Sequence, residues 1–118
     1  MEEQKKYDLE ERTFQFAKRV RAFAKILAKC PTHDEDGKQV IRASGFVGAN
    51  YIEANEAVSK KEFVLRIKYC RRECKESRYW LRLLEANGDE PLEKTRGDLI
   101  QESTELMKIF GAILRKSE

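Results

Sequence analysis

A row of cations in the third quarter of the chain is the feature whose residue types and spacing most clearly suggest chemistry. Six of these cations recur with helical spacing, which places them on one face of a predicted helix: Lys68, Arg71, Arg72, Lys75, Arg78 and Arg82. Three aromatic residues, Tyr69, Tyr79 and Trp80, are interleaved with them. A basic stripe with aromatic neighbours can follow a phosphate backbone and stack bases. The pattern therefore predicts RNA or DNA as a candidate ligand.

The same basic stripe permits a second interpretation, in which it is solvated or forms ion pairs. Residues 60–82 contain 9 Lys/Arg and 3 Asp/Glu, whereas residues 83–118 contain 5 and 8. Four acids of the latter range are available as partners, within the chain or across a subunit contact: Glu93, Asp98, Glu102 and Glu105. We interpret Trp80 as an anchor at an interface or at the core edge. Sequence patterns alone leave both interpretations of the stripe open.

The stretch 44–57, SGFVGANYIEANEA, contains polar residues within an otherwise small and apolar helical pattern. Asn50 and Glu53 lie near the apolar stripe, so we expect both to be partly buried. Buried polar groups need hydrogen-bonding partners, which Arg42, Lys61 or Arg71 could supply. These residues form either a structural network that sets the packing register or a small polar site or subunit contact.

The glycines of this stretch do not form a phosphate-binding loop. Gly45 and Gly48 give only G-x-x-G, without the longer glycine frame or the preceding strand that nucleotide-binding loops require. A glycine inside a helix costs about 1 kcal/mol relative to alanine, so a compensating contact is expected. We predict that another helix packs closely here, inserting bulky residues such as the phenylalanines of the first helical segment.

The residues that usually build catalytic or metal sites are sparse. His33 is the chain's one histidine, and the di-iron sites of helical bundles need Glu-x-x-His pairs that this sequence lacks. Cys70 and Cys74 lie on the apolar stripe of the third helix, where buried cysteines are inert. We therefore expect no enzymatic activity, no metal and no cofactor.

Composition and periodicity predict an all-α protein. Of 118 residues, 41% are hydrophobic and 38% are charged, with only two prolines, a mixture that suits amphipathic helices. Apolar periodicity and end signals predict helices at about 8–29, 34–57, 60–87 and 90–116. Short connections make successive helices antiparallel neighbours, so the expected fold is an up-down-up-down four-helix bundle in a single domain, 1–118.

Several features favour a cytoplasmic location. No apolar run approaches the ~18 residues that span a bilayer, and the polar start MEEQKKYDLEE lacks a signal-peptide core. The three cysteines, an odd number, suit a reducing compartment. We expect no membrane association.

Three segments of the chain together resemble a known family. They are YDLEERTFQFAKRV, IRASGFVGANYIEANEAVSKKEF and RRECKESRYWLRLL, and the likeness covers nearly the whole chain. The chain is similar to the bacterial four-helix-bundle proteins encoded in intervening sequences of large-subunit rRNA genes, also called S23-like proteins. Many members read Asn-Ile-Ala-Glu-Gly in the second helix, where this chain has NYIEA at 50–54.

The resemblance implies an antiparallel four-helix bundle that assembles as a ring-shaped homopentamer and has no established enzymatic activity. A more distant relative is the accessory variability protein of diversity-generating retroelements, a basic pentameric bundle that binds a reverse transcriptase and its RNA. That likeness is strongest at Trp80-Leu81-Arg82. The leading hypothesis is thus a homo-oligomer that binds RNA or a ribonucleoprotein, and the alternative is an assembly or adaptor protein without nucleic acid.

Overall fold

The computed structural model describes residues 2–27 and 31–118, with side chains from Asp8 onward except that of Thr32. These residues form α1 (Glu2–Leu27), α2 (Pro31–Asn55), α3 (Lys60–Leu83) and α4 (Glu90–Ser117). Helix α2 packs against α1 and α3, while α4 packs against α3 and, over a smaller surface, α1. The predicted all-α four-helix bundle is confirmed.

Cross-helix pairs show that α2 and α3 run antiparallel. Early in α2, Arg42 pairs with Glu76 late in α3, whereas late in α2, Asn50 meets Arg66 early in α3. The pairing therefore moves backward along α3 as α2 advances, as an up-down connection requires.

Three predicted helix bounds were wrong. Helix α1 begins at Glu2 rather than near residue 8, and its predicted end at 28–29 lies outside the described residues. Pro31, expected to separate two helices, is the first residue of α2, a position where a missing N–H costs nothing. Helix α3 ends at Leu83 rather than near residue 87.

The early end of α3 is held by a side chain of α4. Arg96 Nη1 donates to the carbonyl oxygens of Leu81 and Arg82 at 3.2 and 3.1 Å. The chain then turns through Asn87 and Gly88, whose φ angles are 53° and 82°. The side chain of Arg96 thus satisfies the last carbonyls of α3, and the helical turn predicted up to residue 87 does not form.

The start of α3 follows its predicted capping box. Ser59 Oγ accepts from the backbone N–H of Glu62 at 3.1 Å, and a Glu62 carboxylate oxygen accepts from the N–H of Val58 at 3.0 Å. This cap fixes where α3 begins, and burial of the apolar seam turns the cations away from the core.

The core follows the predicted stripes. On α3, the side chains of Ile67, Cys70, Cys74 and Leu81 are fully buried. Burial raises the pKa of the Cys70 thiol to about 12 and raises the pKa of Cys74 as well. Both are free thiols with the properties of small apolar groups, as predicted.

Candidate nucleic-acid interface

The six predicted cations lie on one flank of α3 that faces solvent beside α4. The side chains of Lys68, Arg71, Arg72, Lys75 and Arg82 are exposed, and that of Arg78 is half-buried. Arg78 Nη1 donates to Thr104 Oγ1 at 3.3 Å, which ties this flank to α4. We call the six residues the α3 basic face.

The four acids considered as intrachain partners of this face are bound elsewhere. Arg12 of α1 binds Glu102 at 2.7 Å and Glu105 at 2.9 Å. The other two, Glu93 and Asp98, pair with neighbours on α4 itself at 2.9 and 3.1 Å. Among the residues that the structure describes, no cation of the α3 basic face forms an ion pair. Intrachain pairing with α4 is therefore not how this face is neutralised.

Arg12 accounts for much of this arrangement. Its hydrogen bond to Glu102 raises the guanidinium pKa above the ordinary value, since the carboxylate stabilises the cation. Hydrogen bonds from Gln101 and then Arg12 lower the pKa of Glu105. The acidic side of α4 thus turns toward α1, and the opposite side of α4 turns toward α3.

That opposite side of α4 contributes cations that sequence reasoning missed. Two adjoining depressions, of about 500 and 250 Å³, lie between α3 and α4 and share Arg71, Gly111 and Arg115. The second is also lined by Lys108. We call the pair of depressions the α3–α4 groove. Lys108 and Arg115 lie on one stripe of α4, but the net negative charge of residues 83–118 concealed them.

Apolar side chains, the Thr104 hydroxyl and one carboxylate complete the lining of the α3–α4 groove. Val64 and Leu114 line the larger depression, and Met107 lines the smaller one. Glu118 lies at the end of the larger depression. The groove is thus basic along both walls and apolar between them.

The aromatic residues of α3 lie outside the lining of the groove. The Arg72 guanidinium lies 4.7 Å from the centroid of the Tyr69 ring, which orients this cation at the edge of the groove. Tyr79 is 57% exposed and meets Trp80 edge-to-face at 5.2 Å. Trp80 is half-buried against the core, and its buried Nε1 has no acceptor among the described residues. The structure thus places Trp80 at the core edge.

Asn50 and Glu53 differ in burial. Asn50 is buried; its Nδ2 donates to the carbonyl of Phe46 at 2.9 Å and its Oδ1 accepts from Arg66 Nη1 at 3.1 Å. Glu53 is exposed, contrary to expectation, because its position on α2 is rotated away from the stripe of buried residues.

The partner of Asn50 is also not one of those expected. Arg66 fills this role, whereas Arg42 binds Glu73 and Glu76, Arg71 lines the α3–α4 groove, and Lys61 is exposed. The polar network thus joins α2 to α3 and leaves the α3 basic face free.

The glycines of α2 allow close approach of α1, but not of its phenylalanines. A Cβ on Gly48 would lie 3.0 Å from Thr13 Oγ1, and one on Gly45 would lie 3.5 Å from the Arg21 guanidinium. Phe16 and Phe23 point into the core instead, and Phe14 is 57% exposed.

A second groove, of about 500 Å³, lies between α1 and α2. Exposed Phe14 and Ile52 line it together with the small residues Ala17, Gly45 and Ala49. We call it the α1–α2 groove. It is an accessible apolar surface on a different face from the basic groove.

Other site types have little support in the described part of the chain. There, no group of three or more His, Cys, Asp or Glu side chains is placed to hold a metal ion. None of the helices so described is long and apolar enough to cross a membrane.

Comparison with known proteins finds similarity in sequence and in structure. A family model described as 23S rRNA-intervening sequence protein matches residues 5–112. A crystal structure from Bacteroides thetaiotaomicron, described as a protein with unknown function from the S23 ribosomal protein family, has a TM-score of 0.79 and 26% identity. That match covers 90% of this chain and 97% of the other. No curated protein matches this chain.

Proposed function

The chain belongs to the 23S rRNA-intervening sequence protein family, and we propose that it is a non-enzymatic homo-oligomer that binds RNA through the α3 basic face. One observation carries this proposal. Six cations share one flank of α3 without ion pairs among the described residues, while the nearby acids of α4 bind other partners. Unpaired cations on one face attract a polyanion, because binding releases the counterions condensed on its phosphates.

Assembly would strengthen such binding. In the pentamer that the family resemblance implies, each α3 basic face would recur around a ring, and linked weak contacts gain affinity through effective concentration. The RNA could be free or part of a ribonucleoprotein with a partner such as a reverse transcriptase. A cytoplasmic location belongs to the same proposal, and the free thiols of Cys70 and Cys74 are compatible with it.

The α1–α2 groove supports the homo-oligomeric part of the proposal and also supports the alternative function, assembly without nucleic acid. Phe14 is 57% exposed and Ile52 is 54% exposed beside a floor of glycine and alanine. A second copy of the chain that inserts apolar side chains there would remove both residues from water. In the alternative, the α3 basic face would meet acids of the next subunit.

Titration of fluorescent RNA at several salt concentrations tests the binding proposal. The variant Arg71→Glu/Lys75→Glu should bind at least tenfold more weakly and flatten the salt dependence. The control Arg19→Glu/Lys25→Glu changes the net charge equally, on exposed positions of α1 away from the α3–α4 groove. Equal loss in both variants, or no binding by the native protein at low salt, would refute an RNA site on α3.

Light scattering tests assembly separately. Phe14→Glu should convert the oligomer to smaller species, whereas Val58→Glu, at a 93% exposed position outside the α1–α2 groove, should not. A native protein that is monomeric throughout the micromolar range would refute the homo-oligomer. An intact oligomer without RNA binding would favour the assembly function.

A further inference from the structure

Resting on the proposed function, we propose that the ligand is a single strand of nucleic acid lying in the α3–α4 groove, with Lys108 and Arg115 of α4 as binding residues opposite those of α3. The sequence pattern pointed to a flat stripe on one helix. The folded chain instead has a concave surface with cations on both walls. Phosphates of one strand can thus be contacted from two sides.

The two depressions form one path because Gly111 lies where they meet. Gly111 lines both, as do Arg71 and Arg115 on opposite walls. A Cβ on Gly111 would meet only Arg115 Nη1, at 3.5 Å. The absent side chain therefore leaves the middle of the path open.

The width of the groove favours one strand over a duplex. Packed helices have axes about 8–10 Å apart, which limits the width of the groove between them. A DNA duplex is wider than this space, because its major groove alone is about 12 Å wide. A duplex would rest on the rims and reach fewer cations. An A-form RNA duplex, which proteins contact through its shape and backbone, would likewise rest on the rims.

The lining predicts recognition of the backbone rather than of base sequence. Between the basic walls lie the apolar side chains of Val64, Met107 and Leu114. The Thr104 hydroxyl also lines the smaller depression, but it is already hydrogen-bonded within the protein as both acceptor and donor. Arg72 lines the larger depression and lies 4.7 Å from the centroid of a tyrosine ring, so its guanidinium plane offers one surface on which any base can stack. RNA and DNA single strands share the phosphodiester chemistry that this groove would contact.

Direct titrations test the inference with four labelled probes: 20-nucleotide polyuridylate, 20-nucleotide polydeoxythymidylate, and 20-base-pair RNA and DNA duplexes. Both single strands should bind at least tenfold more tightly than either duplex. Lys108→Gln/Arg115→Gln should weaken binding of the single strands about tenfold and reduce the salt slope by about 1.4, for two phosphates at about 0.7 each. The control Lys94→Gln/Lys116→Gln, on α4 but outside the groove, should leave binding unchanged.

A variant that changes the shape of the groove but not its charge tests whether the concave surface itself is needed for binding. Gly111→Leu should fill the middle of the path and weaken single-strand binding at least fivefold with the salt slope unchanged. Leucine is a better helix former than glycine, and circular dichroism with thermal melting verifies that the fold persists. Gly111→Ala, whose added methyl meets only ordinary contacts, should have a smaller effect.

The outcomes distinguish this inference from the proposed function. Duplex binding as tight as single-strand binding, or native affinity in Gly111→Leu, would overturn the groove inference while leaving an RNA-binding α3 basic face intact. Absence of binding by all four probes at low salt would overturn both.

Discussion

The contact between Gly48 and Thr13 gives the sharpest test of how α1 and α2 pack. A Cβ on Gly48 would lie 3.0 Å from Thr13 Oγ1 and 3.4 Å from Thr13 Cβ. The first distance is tighter than nine in ten real contacts of a Cβ atom, so Gly48→Ala requires Thr13 or α1 to shift by a few tenths of an ångström. Thr13 is 1% exposed, and its Oγ1 donates to the carbonyl of Glu10 at 3.0 Å, which restricts that movement.

The magnitude follows from two opposing effects. Alanine in place of a helical glycine stabilises by about 1 kcal/mol, whereas overpacking a tight core contact costs about 1–3 kcal/mol. Gly48→Ala should therefore lower the free energy of unfolding by about 0–2 kcal/mol. Gly97 is the matched control, because it lies inside α4 and a Cβ added there would have no described atom within 4 Å. Gly97→Ala should raise the free energy of unfolding by about 0.5–1 kcal/mol.

Urea unfolding at one fixed protein concentration measures these free energies, with a double-mutant cycle to isolate the contact. Thr13→Ala removes Oγ1 and leaves only the 3.4 Å contact, which is ordinary packing. In that background Gly48→Ala should stabilise, so the coupling energy between the two positions should be about 1–3 kcal/mol. A coupling energy near zero, with Gly48→Ala as stabilising as Gly97→Ala, would refute the close packing of α1 on α2.

Three further predictions concern other parts of the bundle. Arg96→Ala should lower the free energy of unfolding by about 1–3 kcal/mol, because it leaves the last carbonyls of α3 without their donor; Arg96→Lys should restore little of this in urea melts. In a variant whose third cysteine is replaced by serine, Cys70 and Cys74 should not react with a thiol reagent at pH 8 until urea unfolds the protein. Burial raises the pKa of both thiols, so little reactive thiolate is present in the folded state. Reaction of the folded protein at the rate of a free thiol would contradict this burial. The pKa of Glu105 is lowered in the folded state. Its contribution to stability is therefore present above the unfolded pKa near 4.5 and is lost as the pH falls through the folded pKa. Urea melts at several pH values should show that Glu105→Gln lacks this part of the acid dependence of the free energy of unfolding.

Local signals predicted the elements of this fold well. The capping box at Ser59 and the seam from Ile67 to Leu81 specify where α3 begins and which side it buries, because both depend on residues three or four apart. The same periodicity placed the α3 basic face outward. Helix ends were predicted less well, since Arg96 ends α3 from another helix and no local pattern reports that contact.

Only the α3 side of the candidate site could be predicted from the sequence. The α3 cations form a visible cluster in the sequence, but Lys108 and Arg115 lie in a segment of net negative charge. Their importance depends on which side of α4 faces α3, and burial of the apolar stripe of α4 sets that rotation together with the ion pair between Arg12 and Glu102. Likewise, Asn50 has its partner in Arg66, because the antiparallel register brings those two turns together.

The sequence by itself determined four amphipathic helices, their order, the inward stripes and the outward cations of α3, because helical periodicity is a local property of the chain. Only the tertiary structure decided that the acids of α4 turn to α1, that a basic groove opens between α3 and α4, and that Gly111 lies at its centre. The physical reason is that ion pairing and concavity depend on the relative rotation of packed helices, which distant contacts establish together.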